Sequence, residues 1–287
     1  MRIAFIGAGN MGGAVARRLA TGGYDVRVAD HSPSAVDRCT AVGAAAAGSA
    51  VEAAKGADIV FTSLPTPEIV TEVWREVAPH LSGTAIAVDV STIDPTTADD
   101  LETTLAEHGN AFVHCALGKT PAAAEQGAIP LFTGGSGAAI TTLAPVFDRM
   151  GERTYEFGSP SAAAVFKLIS NMIGMTNVAV LSEGLTLAEK AGIDPELFAS
   201  ALDDTGAYSF QSQVRLPWMI AGDDTARFSA ELAAKDLRLA VDSAGRLGIP
   251  TPVSAQTLAQ LLSTVVHGHG DRDVVAMRAL LTPPGHR

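Results

Sequence analysis

An apolar run, Ile3-Ala4-Phe5-Ile6, leads straight into Gly7-Ala8-Gly9-Asn10-Met11-Gly12, and an amphipathic helical pattern follows over residues 11–21. Few folds accept three glycines spaced in this way between a buried strand and a helix. Gly7 suits a tight turn, Gly9 leaves the backbone open to another molecule, and Gly12 lets the helix pack closely on the strand. Glycine is abundant in this chain, 28 of 287 residues, so the spacing alone is a weak signal. The context makes it a strong one: Gly22-Gly23 stops the helix, and a second strand pattern over residues 24–29 ends at Asp30.

A helix that begins after such a turn presents free backbone N–H groups to a phosphate. An acid at the end of the next strand is placed to accept hydrogen bonds from both hydroxyls of a ribose. Together they point to a bound dinucleotide. A 2′-phosphate would meet like charge at Asp30, so NAD is expected, and the adjoining His31 leaves NADP open as the alternative.

Strand patterns recur at residues 58–63, 85–90, 111–115, 130–133 and 154–157, with helical patterns at 68–78, 95–108 and 138–150 between most of them. Such alternation predicts a parallel sheet covered on both faces. The character changes near Gly158-Ser159-Pro160. A helix over about residues 161–191 follows, then shorter helices at 195–202, 212–220, 229–247 and 252–267, with no convincing strand among them. The expected architecture is an α/β Rossmann-type doubly wound sheet, followed by an all-α C-terminal domain joined by a long interdomain helix. The domains are expected over residues 1–160 and 161–287.

Lys plus Arg number 20 against 31 Asp plus Glu, a net charge of −11, which disfavours a nucleic-acid binder. Cys39 and Cys115 are too few for a disulfide framework and fit a reducing compartment. The first apolar run is too short for a secretion signal, and no apolar run of bilayer length stands out, so a cytoplasmic protein without membrane contact is expected. Only five of the cations are lysines, at positions 55, 119, 167, 190 and 235.

Lys167 lies among Val165, Phe166, Leu168 and Ile169 on the long helix, with Asn171 four residues on and on the same helical face. A lysine in that setting either snorkels to water or works as a general acid/base. Gly118-Lys119-Thr120 follows the fifth strand, at the sheet edge where ligands bind in such folds, and reads either as an anion-holding loop or as an exposed turn. It is not a P-loop, which would need glycine where Val113 stands. His267-Gly268-His269 lacks a further ligand nearby, so no metal is expected.

Four segments resemble the β-hydroxyacid dehydrogenase family, a group that includes 3-hydroxyisobutyrate dehydrogenase and tartronate semialdehyde reductase. They are residues 7–13, Asp89-Val90-Ser91-Thr92, Lys167-Leu168-Ile169-Ser170-Asn171, and Phe228 through Leu232 to Lys235-Asp236-Leu237. The resemblance spans nearly the whole chain. It implies that Lys167 is the catalytic acid/base and that Asn171 orients the substrate. It also implies that Asn10 and Met11 of the glycine turn, Leu64, Pro65, Thr92 and Lys235 contact the cofactor, and that the enzyme is a homodimer or homotetramer.

Two segments depart from the family pattern. Where the family has Pro-Val-Ser-Gly-Gly, this chain has Ala116-Leu117-Gly118-Lys119-Thr120, and Ser170 replaces the first Asn of the active-site run. A Gly-basic-Thr loop is similar to that of sulfolactaldehyde reductase. The expected substrate is therefore a small anion, either a β-hydroxyacid carboxylate or a sulfonate- or phosphonate-headed analogue, held by Gly118, Lys119 and Thr120. An imine reductase and a non-catalytic dinucleotide-binding protein are the further alternatives, and Lys167 speaks against both.

Overall fold

The computed structural model describes residues 1–281. The chain forms two compact units, one from Met1 to Lys167 and one from Leu168 onward.

The first unit is built on an eight-stranded sheet. Its strands are β1 (Arg2–Ile6), β2 (Asp25–Ala29), β3 (Ala45–Ala46), β4 (Ile59–Thr62), β5 (Ile86–Asp89), β6 (Ala111–Leu117), β7 (Pro130–Gly135) and β8 (Arg153–Glu156). Their order is β3-β2-β1-β4-β5-β6-β7-β8. The helices between them are α1 (Asn10–Thr21), α2 (Pro33–Thr40), α3 (Ala50–Ala54), α4 (Pro67–Val77), α5 (Pro95–Glu107), α6 (Pro121–Gln126) and α7 (Gly137–Met150). The doubly wound Rossmann-type sheet expected from the alternation is present.

The apolar run of β1 is continuous because both of its faces are covered. Ile3 and Phe5 join a core with Val15 and Leu19 of α1 and Leu143 and Phe147 of α7. Ala4 and Ile6 join the opposite core with Val70 and Trp74 of α4 and Leu101 and Leu105 of α5. Phe5 stacks on Phe61 of the neighbouring strand at a centroid distance of 5.3 Å, a pairing worth about 0.5–1.5 kcal/mol beyond its burial.

One strand departs from the all-parallel expectation: β7 runs antiparallel to β6. The connection between them, residues 118–129 with the six-residue α6, lies at the short limit of what a parallel crossover takes, about a dozen residues, and the chain turns back to pair antiparallel instead. The elements missed from sequence are short: β3 has two residues and α3 five, and with α2 they fall in a stretch without clear periodicity.

The long helix α8 (Pro160–Lys190) begins in the first unit, at the break expected from the sequence, and the two units divide inside it after Lys167. Ser159 caps its first turn, accepting the Ala162 N–H at 3.1 Å. A Cβ on Gly134 would lie 1.9 Å from the Ser159 carbonyl oxygen, so only glycine lets β7 approach the start of α8. By length and composition α8 could cross a membrane, contrary to the sequence reading. Core helices of soluble folds pass the same test, and Ala163, Ala164, Leu168, Met175, Val178 and Leu185 of α8 are all buried.

The second unit is helical. After the remainder of α8 come α9 (Pro195–Asp203), α10 (Phe210–Ala221), α11 (Ala230–Arg246) and α12 (Pro252–Thr264). The sequence pattern carried the last of these to residue 267, but the backbone widens into a π-type turn over Val265–His269, where Gly268 takes φ +83°. Met175, Val178, Leu185, Leu216, Met219, Leu237 and Leu261 form the core. Asp273 is fully buried and accepts the backbone N–H groups of Arg227 (3.1 Å) and Phe228 (3.0 Å), which fixes the entry to α11. Arg215 Nε lies 3.7 Å from the same carboxylate, which supports a guanidinium charge that burial disfavours.

Candidate active site

The sequence-predicted cofactor residues of the first unit gather at the carboxyl ends of its strands. Gly7 to Gly12 follow β1, Asp30 follows β2, Leu64 and Pro65 follow β4, and Thr92 follows β5. The strand order reverses between β1 and β4, and ligands of open α/β sheets bind at such a switch point.

The glycine turn fits a pyrophosphate. Gly7 takes φ +93°, and a Cβ there would lie 2.2 Å from the Ser63 carbonyl oxygen. A Cβ on Gly12 would lie 2.3 Å from the Gly7 carbonyl oxygen and 2.6 Å from Ser63 Cβ. Gly9 differs: nothing stands within 4 Å of its Cβ position, so the backbone there is open to a ligand. Gly9 is also the N-cap of α1, and no side chain caps that helix, which leaves its first N–H groups for an anion. Asp30 is fixed by two amides: Oδ2 accepts the Ala8 N–H at 2.6 Å and Oδ1 accepts the Ser32 N–H at 2.7 Å. Its carboxylate is thus tied directly to the glycine turn.

Lys167 is half-buried, and its Nζ donates to the Leu117 carbonyl at 2.8 Å. Phe166 packs on Phe132 and Phe157, with ring centroids 4.7 and 4.5 Å away, which holds this turn of α8 against β7. Leu117 is the last residue of β6, so the amine lies at the base of the Gly118-Lys119-Thr120 loop.

That loop is shaped differently from the sequence expectation. Gly118 is buried, and the Thr120 hydroxyl oxygen caps α6, accepting the Ala123 N–H at 3.3 Å. Lys119 takes φ +61°, a left-handed conformation unusual for a side chain with a Cβ. Its ammonium sits 2.8 Å from the Ala128 carbonyl and 2.5 Å from Glu152 Oε1. The cation expected to face an anionic substrate is here engaged by a carboxylate of its own chain.

In the second unit, Asn171 Nδ2 donates to Asp236 Oδ2 at 2.7 Å, and Lys235 Nζ lies 2.7 Å from Asp236 Oδ1. Asp236 is buried, and these partners compensate its charge and fix the Asn171 carboxamide. The sequence reading gave Asp236 no role; its place directly after Lys235 in the C-terminal motif was the available signal. Among the described residues, no group of three or more His, Cys, Asp or Glu could hold a metal ion.

A switch-point glycine turn, an acid fixed at the end of the second strand and a lysine at the sheet edge define an NAD(P)-binding oxidoreductase. Comparison with known proteins sharpens this. Residues 2–158 match the family model described as the NAD binding domain of 6-phosphogluconate dehydrogenase, and residues 161–281 match that described as NAD-binding of NADP-dependent 3-hydroxyisobutyrate dehydrogenase. The chain is 29% identical to the NAD-dependent L-serine dehydrogenase of Pseudomonas aeruginosa, covering 98% of each. It is 30% identical to the 3-sulfolactaldehyde reductase of Escherichia coli, over 94% of this chain and 92% of that one. A solved structure titled 3-hydroxyisobutyrate dehydrogenase, from Salmonella typhimurium, superposes with a TM-score of 0.91 at 26% identity, covering 98% of this chain and 99% of that one. The chain belongs to the β-hydroxyacid dehydrogenase family. It is accordingly an NAD(P)-dependent hydroxyacid dehydrogenase acting on CH–OH groups.

Proposed function

We propose that the enzyme interconverts a small β-hydroxyacid and its semialdehyde, with NAD preferred and Lys167 as the general acid/base. The observation that carries this reading is the Lys167–Leu117 hydrogen bond, which fixes the amine beside the loop after β6. Bound NAD supplies the hydride acceptor for oxidation, and NADH the donor for reduction. In oxidation, neutral Lys167 takes the hydroxyl proton as the carbonyl forms; in reduction, its ammonium returns that proton to the nascent alkoxide. Asn171, one helical turn on and held by Asp236, orients the reacting oxygen.

Gly118, Lys119 and Thr120 receive the acid head group. For Lys119 to reach it, Nζ exchanges the Glu152 carboxylate for the substrate anion, an ion-for-ion swap at an exposed position. A sulfonate or phosphonate head is the second reading. It is favoured by the basic residue at this position and by the 30% identity to a protein named 3-sulfolactaldehyde reductase. On the cofactor side, Asn10, Met11, Leu64, Pro65, Thr92 and Lys235 complete the set that contacts NAD, while the Asp30 carboxylate opposes a 2′-phosphate.

Residues 1–160 serve as the nucleotide-binding domain and those from 161 as the substrate domain. The exposed row Ile169, Ile173, Val180 and Leu187 on α8 supports a homodimer or tetramer, which light scattering would test. Two free, buried cysteines suit a reducing cytoplasm.

The deciding experiment is a panel of small hydroxyacids and aldehydes with carboxylate, sulfonate and phosphonate heads, each assayed with NAD and NADP. Turnover of a β-hydroxyacid or its sulfonate analogue with NAD is expected. Activity confined to imines, or a preference for NADP, would contradict the reading.

A further inference from the structure

Behind the glycine turn, three adjacent strands carry a row of buried polar side chains that the proposed chemistry does not use. Thr62, Asp89 and His114 are register partners across β4, β5 and β6, and all three are fully buried. Asp89 Oδ1 accepts the hydroxyls of Thr62 at 2.7 Å and Ser91 at 2.6 Å. Each hydroxyl oxygen in turn accepts an N–H: Trp74 Nε1 donates to Thr62, and the Leu64 backbone N–H donates to Ser91, both at 2.9 Å. The proton directions are therefore fixed. An indole and an amide N–H can only donate, so both hydroxyls point their protons inward to the carboxylate. On the far side of Asp89, His114 Nδ1 lies 3.3 Å from Oδ2, not aligned as a hydrogen bond.

The two arms end in different places. The Thr62 arm ends at Trp74, in the core under α4. The Ser91 arm ends at Leu64, next to Ser63, whose carbonyl oxygen would lie 2.2 Å from a Cβ on Gly7 and whose Cβ would lie 2.6 Å from one on Gly12. Ser63 and Leu64 are thus the floor on which the dinucleotide turn rests.

We propose that Asp89, acting through the Ser91 hydroxyl on the Leu64 N–H, is a positioning residue for the dinucleotide. It touches neither cofactor nor substrate. Its carboxylate holds the Ser91 proton inward, so the Ser91 oxygen stays available to the Leu64 amide, and the floor keeps one height beneath Gly7 and Gly12. The proposal rests on the reading that Leu64 lines the cofactor.

The test is direct NADH titration, Tm and steady-state kinetics on the full chain carrying Ser91→Ala, Thr62→Val or Leu64→Ala. Ser91→Ala is expected to raise the NADH Kd about tenfold, the effect of leaving one amide without its acceptor, while kcat at saturating cofactor stays within about twofold. Thr62→Val, on the core arm, should lower Tm yet leave the Kd within about twofold. If Leu64→Ala weakens NADH but Ser91→Ala does not, or if both hydroxyl variants shift only Tm, the positioning role is overturned. If Leu64→Ala itself leaves binding unchanged, the cofactor-lining reading fails and the proposal falls with it.

Discussion

The Lys167 ammonium nitrogen lies 2.8 Å from the carbonyl oxygen of Leu117, which ties a turn of α8 to the last residue of β6. Leu117 is buried and paired with Leu131 of β7, so this acceptor belongs to the sheet and not to a loop. A lysine amine referred to a sheet carbonyl keeps its direction more tightly than one anchored on a loop. The Gly118-Lys119-Thr120 loop starts at the next residue, so the Lys167 amine and that loop share one reference point on the sheet.

The glycines of the turn differ in what they accommodate, and substitution should separate them. Gly12→Ala places a methyl against the Gly7 carbonyl and Ser63, and overpacking of this kind costs about 1–3 kcal/mol of stability. Gly9→Ala meets nothing within 4 Å, so its denaturation midpoint should match the parent while NADH affinity falls. Chemical denaturation and NADH titration of both variants check this. Equal loss of stability in the two would count against Gly9 as the approach point.

Lys119 and Glu152 give a paired test of the loop. If the ammonium leaves Glu152 for the substrate, Lys119→Ala raises KM for the anionic substrate about tenfold or more, the value of a charge-assisted hydrogen bond. Glu152→Gln removes the competing carboxylate and should lower the same KM. An unchanged KM in both variants would make Lys119 a loop strut, consistent with its bond to the Ala128 carbonyl.

Both thiols are fully buried, and burial pushes each above the ordinary thiol range, Cys115 strongly. A raised value means less thiolate at any pH below it, and the thiolate is the reactive form. The native chain should therefore resist a thiol-specific reagent at mildly alkaline pH, and the unfolded chain should react at both cysteines. Rapid labelling of the native protein would contradict the buried placement.

The features legible from sequence were those written in local patterns. The β1–glycine turn–α1 unit needs only residues 3–21, and Lys167 and Asn171 share a face through helical spacing alone. What the sequence did not display depends on distant partners. The direction of β7 goes with a short connection through α6, a helix its pattern did not announce. The resting place of Lys119 is set by Glu152, 33 residues on, and the support of Asn171 by Asp236, 65 residues on. Thr62, Asp89 and His114 meet because three strands align in register, a relation no single segment encodes.

One comparison tests Lys167 as the general acid/base most directly: single-turnover oxidation of substrate by the Lys167→Ala enzyme, with its NADH affinity measured alongside. General acid/base groups contribute about 10²–10⁴-fold, so the hydride-transfer rate should fall by that order while the NADH Kd stays within about twofold. A variant that binds NADH normally and still reacts at the parent rate would contradict the assignment of Lys167 as acid/base.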